Sequence, residues 1–155
     1  MASTLTASTM TVTISESITL NGKNQGGTQT LSIPSIATVS RRIIDVPASE
    51  ITLVSMGTAV SNGQYIESDV LYIRITNLDD TNHVTLLFKN EDNNEYAVKL
   101  DKGQTFIYNG DLADGVVDTM DAGATALTIG LSDLVNITAT ANTAACDLEL
   151  FIACK

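Results

Sequence analysis

The chain is 155 residues long, 44% hydrophobic and 17% charged, with four Tyr, three Phe and no Trp, which fits a single globular domain with an aliphatic core. Eighteen acidic against eight basic residues leave a net charge of −10, a field that repels phosphate backbones and anionic lipid, so neither nucleic acid nor membrane is an expected partner. The abundance of Thr, Val and Ile tilts the whole chain toward sheet.

Residues 1–10 (MASTLTASTM) carry no positive charge and no apolar stretch long enough for a signal peptide or a spanning helix, so synthesis in a cytoplasm without export is expected. Their small, hydroxylated composition has no apolar period, and residues 1–9 read as an extended arm in front of one domain over residues 10–155. From Met10 the alternation is strict: Met10, Val12, Ile14, Ile18 and Leu20 share one face, with Thr11, Thr13 and Thr19 on the other. A turn-rich stretch (NGKNQGG, 21–27) separates this strand from a second over 28–33, predicting a hairpin with a flexible tip. Pro34 ends that strand or places it at an edge, and 37–46 (ATVSRRIIDV) resumes β propensity before Pro47.

A short apolar run covers 51–56, and 57–69 reads as polar loop. Between 70 and 108, strands at 70–76, 84–89, 96–100 and 105–108 are separated by Asn/Asp/Gly turns, a spacing that predicts an antiparallel meander. Residues 109–124 read as a long acidic loop, followed by expected strands at 134–140 and 146–154. Nine or ten strands with turn signals about every 8 to 12 residues, and no normal amphipathic helix, predict an all-β antiparallel sandwich, jelly-roll or immunoglobulin-like, with a barrel as the lesser alternative. In the last strand Cys146 and Cys154 stand eight residues apart, roughly 26 Å along an extended chain at about 3.3 Å per residue, too far to bridge. Both are expected as free thiols in the core.

No phosphate loop, nucleophile elbow, zinc spacing or HExxH pair occurs. The single histidine, His83, has neither a nucleophile nor an orienting partner that spacing can supply, so it reads as a solvated or capping residue and the protein as no enzyme, without a cofactor. Asp111, Asp114, Asp118 and Asp121 are close enough in sequence to converge on Ca²⁺, but they lack an EF-hand frame and read first as solvated loop carboxylates. Asp79 and Asp80 read as turn residues, with an ion held between subunits as the other reading. Asn136-Ile137-Thr138 fits a glycosylation sequon too short to carry weight.

The stretch 72–108 (YIRITNLDDTNHVTLLFKNEDNNEYAVKLDKGQTFIY) resembles small virion proteins of tailed phages of marine hosts and cyanobacteria. The likeness lies in a strand ending in RITNLDDTN and in the KLxxGQxF phrase of Lys99, Leu100, Gly103, Gln104 and Phe106, joined by the opening MASTLTA and the NGxxQGG of Asn21, Gly22, Gln25, Gly26 and Gly27. It implies a β-sandwich component of the virion, of the capsid decoration or cement type, with the major capsid protein as partner; it transfers no catalytic residue. Tail, adaptor or fibre-associated roles, and a host-surface glycan-binding module, are the alternatives.

Exposed strand edges in a chain with few charges also argue for a homo-oligomer, a trimer among them. The expected contacts are the arm (Ser3, Thr4, Leu5, Thr6), which could add main-chain hydrogen bonds to a neighbouring sheet, the cationic pair Arg41 and Arg42, the hairpin tip at Asn21 and Gly22, and the acidic loop.

Overall fold

The computed structural model describes residues 5–109 and 132–155. They form thirteen strands: β1 (Ser8–Ser15), β2 (Thr19–Leu20), β3 (Lys23–Asn24), β4 (Thr28–Ile36), β5 (Thr38–Val46), β6 (Ile51–Gly57), β7 (Tyr65–Ile66), β8 (Val70–Asn77), β9 (Val84–Asn90), β10 (Glu95–Leu100), β11 (Thr105–Asn109), β12 (Leu134–Ala141) and β13 (Cys146–Cys154). The count exceeds the expected nine or ten because β2, β3 and β7 are two-residue pairings, too short to produce a period in the sequence. The last of them interrupts the stretch expected to be loop, which also holds one 3₁₀ turn, Glu67–Asp69.

Two antiparallel layers form the body. One runs β5-β13-β8-β11, the other β6-β12-β9-β10, with β7 added parallel to β6. Strands β5, β6, β8 and β9 pair in turn with β13, β12, β11 and β10. This is a two-stranded ribbon closed by the β9–β10 hairpin and wrapped so that successive pairs alternate between layers, which is jelly-roll and not immunoglobulin-like connectivity. The meander expected over 70–108 is therefore corrected. Strands β8 and β9 lie in opposite layers, and β8 pairs with β11 and β13 instead. Periodicity located those strands but carries no information about which edges pair.

The inward faces interdigitate as the sequence demands: Ile73, Ile75, Leu148, Leu150 and Ile152 from one layer meet Leu86, Phe88, Leu53 and Ile137 from the other, all almost fully buried. Phe88 stacks on Tyr96 with centroids 4.7 Å apart and lies 4.9 Å from Phe106, so aromatic rings close one end of the aliphatic core. Cys146 and Cys154 are free and buried on β13, both facing this core.

Buried polar residues hold the turns. Asn77, fully buried, donates from Nδ2 to the carbonyls of Asn82 (3.0 Å) and Leu100 (3.1 Å), and its Oδ1 accepts the Asp79 N–H (3.0 Å). Asp79 in turn accepts the N–H groups of Thr81 and Asn82 at 2.7 and 2.5 Å, a local turn that holds its carboxyl below the usual range. The backbone of Asn77 exchanges hydrogen bonds with Gln104 (3.0 Å) and Gly103 (3.1 Å). The RITN and DKGQ stretches are thus clasped to each other at one end of the sandwich.

Candidate interaction surface

A ribbon made of β1 and β4 stands outside both layers. Its base is seated by Ile33 and Ile36, buried with Tyr72 and Ala153 on the outer face of the β5-β13-β8-β11 layer. Met10, Val12 and Leu31 pack partly against the same cluster. Further out the ribbon loses that support. Ile14, Ile18 and Leu20, which share its apolar face in the sequence, are 39%, 49% and 54% exposed.

The strand expected over 10–20 is broken at Glu16–Ser17, because Gly26 packs against that bend. A Cβ at Gly26 would lie 2.0 Å from the Glu16 carbonyl oxygen. Beyond the bend, Leu20 pairs with Lys23 around Asn21 and Gly22, both at positive φ (51° and 75°), so the expected hairpin closes in a two-residue turn.

On the outer face beneath the ribbon, successive strands present Arg41 (β5), Glu149 and Phe151 (β13), Tyr72 and Arg74 (β8) and Ile107 (β11). Glu149 is buried and accepts from Arg41 Nε (2.9 Å) and Nη2 (2.5 Å) on one side and from Arg74 on the other. Those hydrogen bonds hold its carboxyl below the usual value. The Arg74 guanidinium also lies 5.8 Å from the Phe151 ring, which meets Tyr72 edge-on at 5.9 Å. Between this face and the β1 edge runs an open groove of about 390 Å³ lined by Met10–Ile14, Tyr72, Arg74, Ile107 and Phe151; a second, of about 380 Å³, flanks β4 at Leu31, Pro34, Leu71 and Lys155.

The expected contact residues are scattered over this arrangement. Leu5 and Thr6 are exposed ahead of β1, Leu5 at 72%, while Ser3 and Thr4 lie outside the described residues. Arg41 and Arg42 point to opposite sides of β5: the first is engaged by Glu149, and the second donates to the Leu53 carbonyl of β6 at 2.6 Å. They do not form one cationic patch. Asp111, Asp114, Asp118 and Asp121 also lie outside the described residues. Among the described residues no group of three or more His, Cys, Asp or Glu is placed to hold a metal ion. His83 is half-buried at the start of β9, its carbonyl accepting the Asn142 N–H at 3.2 Å. Burial pushes the Cys154 thiol up to about 11, and Cys146 up as well, so neither is a ready nucleophile.

Sequence reasoning missed Tyr72, Ile107 and Phe151 as surface-forming residues. The available signal was their position: Tyr72 and Phe151 are large apolar residues on the outward-facing registers of β8 and β13, next to charged Arg74 and Glu149, and aromatic side chains placed there call for a covering element. No known family model matches the chain, and no curated protein matches it.

Proposed function

We propose that this protein is a phage virion structural protein, a decoration or cement protein that binds the outer capsid surface, bridges neighbouring major capsid subunits and works without catalysis or cofactor. The observation that carries the reading is the ribbon: the jelly roll holds out an uncharged β1 strand and a row of half-exposed apolar side chains, Ile14, Ile18 and Leu20. A lone two-stranded ribbon is marginal in water, and an apolar row on one is best stabilised by a surface that covers it. The resemblance of the 72–108 stretch to phage virion proteins supplies the kind of partner. Its shared phrases are turn clasps such as Asn77 and Gly103, consistent with a family united by a scaffold and not by a reaction.

The mechanism is mass action. A protein that binds only the assembled shell stabilises it by its own binding free energy, repeated at every occupied site. Purified protein is mixed with expanded phage heads lacking it, the heads are pelleted, and bound copies are counted. Saturation at a copy number comparable to that of the capsid subunits, with raised thermal resistance of the heads, is the expected outcome. Binding only to tails, or EDTA-sensitive binding to host glycans with none to heads, overturns it.

A further inference from the structure

Most exposed strand edges among the described residues carry some guard against pairing. Strand β10 presents Glu95 and Lys99, β5 presents Arg41, Arg42 and Asp45, and uncharged β6 is covered at Met56 and Gly57 by β7 while Arg42 holds its Leu53 carbonyl. On the ribbon, β4 is interrupted at Pro34, which has no N–H, and at Ser35, held at φ 64°. Strand β1 (STMTVTIS) is eight residues long and has neither charge nor proline. Natural sheets avoid leaving such an edge open, because it is a template for another strand.

The space beside that edge is already shaped for one. The groove along Met10–Ile14 has the ribbon edge as its wall and Tyr72, Ile107 and Phe151 as its floor, and none of its lining residues is acidic in a chain of net charge −10. A strand hydrogen-bonded to β1 would extend the ribbon over the outer face and place alternate side chains on this apolar floor.

The occupant cannot be the β1 of a second copy. Antiparallel partners related by a twofold axis normal to the ribbon present the same face, so both sandwiches would fall on one side of it and occupy the same space. A single extended segment without a body beside it is required. Among the described residues such an uncharged segment with an isolated apolar side chain lies ahead of β1, where Leu5 is 72% exposed and Thr6 and Ala7 are exposed outside any strand. Since Leu5 stands in solvent, the chain's own segment does not fill its own groove at that residue.

We infer that the groove beside β1 receives the N-terminal segment of a second copy of this chain, paired to the β1 edge that no described strand occupies, with Leu5 seated over Tyr72, Ile107 and Phe151. This goes beyond the capsid reading and does not depend on it, because it concerns the protein alone and is tested without heads. Five groove positions, Met10–Ile14, span roughly 17 Å at about 3.3 Å per residue, within the reach of the residues that precede Ser8.

The test uses the full chain in solution. Sedimentation of the unaltered protein over a range of concentrations is expected to show reversible self-association. Leu5→Asp should weaken it about tenfold or more while leaving the melting temperature unchanged, since Leu5 contributes nothing to the isolated fold. Mixing separately purified Leu5→Cys and Ile14→Cys proteins under mild oxidation should give a covalent dimer with one of each, because Ile14 shares the face of Met10 and Val12 that is turned to the floor; the native Cys146 and Cys154 are buried and do not compete. A chain that stays monomeric at all concentrations overturns the inference. So does a mixture that gives no mixed dimer while one chain carrying both Leu5→Cys and Ile14→Cys closes an internal disulfide, which would mean that each copy fills its own groove.

Discussion

The ribbon and the jelly roll are written in the same alphabet and meet different fates. In β1, Met10, Val12 and Ile14 alternate with Thr11 and Thr13; in β9, Val84, Leu86 and Phe88 alternate with Thr85 and Leu87. Val84, Leu86 and Phe88 are completely buried, whereas β1 passes from partly covered at Met10 and Val12 to exposed at Ile14. The difference comes from the second face. Strand β9 has a layer opposite it, and β1 has a layer only beneath its base, so alternation reports strand geometry and leaves burial to the tertiary arrangement.

The largest expected effect that sharpens this contrast is in the core. Phe88→Ala removes a fully buried ring that contacts Tyr96 and Phe106 and should cost about 3–5 kcal/mol in urea unfolding, whereas Ile18→Ala on the ribbon should stay within about 0.5 kcal/mol. Comparable losses at the two sites would mean that the ribbon is part of the cooperative core. Next is the clasp: Asn77→Ala leaves the Asn82 and Leu100 carbonyls and the Asp79 N–H without their partner and should cost roughly 1–3 kcal/mol. A near-neutral result would show that water replaces the side chain.

The smallest effect concerns the outer face. The carboxyl of Glu149 is held below its ordinary value of 4.5 by hydrogen bonds from Arg41 and Arg74. Because the folded value is the lower one, this stabilisation is fully present above the unfolded value and is lost as pH falls through the folded one. Stability curves of the native protein and Glu149→Gln should therefore differ near neutrality by about 1 kcal/mol and converge as the pH falls through the folded value. A constant offset across acid pH would remove the carboxylate from that account.

Much of the body was legible in the sequence. The strands at 70–76, 84–89, 96–100, 105–108, 134–140 and 146–154 all exist, because each is a half- or fully buried pleat whose inward residues recur at a spacing of two. Pairing was not legible: β8 and β9 follow one another through a turn that reads as a hairpin, yet the Asn77 clasp sends the chain across to the other layer. The interaction surface was half legible. The arm and hairpin announced themselves by composition, but the groove is made by Tyr72, Ile107 and Phe151 from three separate strands, and their proximity depends on the order β13-β8-β11, which no local pattern encodes. Arg41 and Arg42 failed as a pair for a local reason, since neighbours on a strand face opposite ways.

The wrapped ribbon also sets a timetable for synthesis. Strand β5 finds its main partner in β13, so Cys146 pairs with Val46 across a hundred residues of chain, and a growing polypeptide cannot complete that layer until its final strand has left the ribosome. Phe151 belongs to this last strand and forms part of the groove floor. The hairpin emerges first and waits; the place where another copy would dock is finished last. If copies dock there, premature association between half-made chains would be denied its acceptor, and only a molecule that has completed its fold would receive a neighbour.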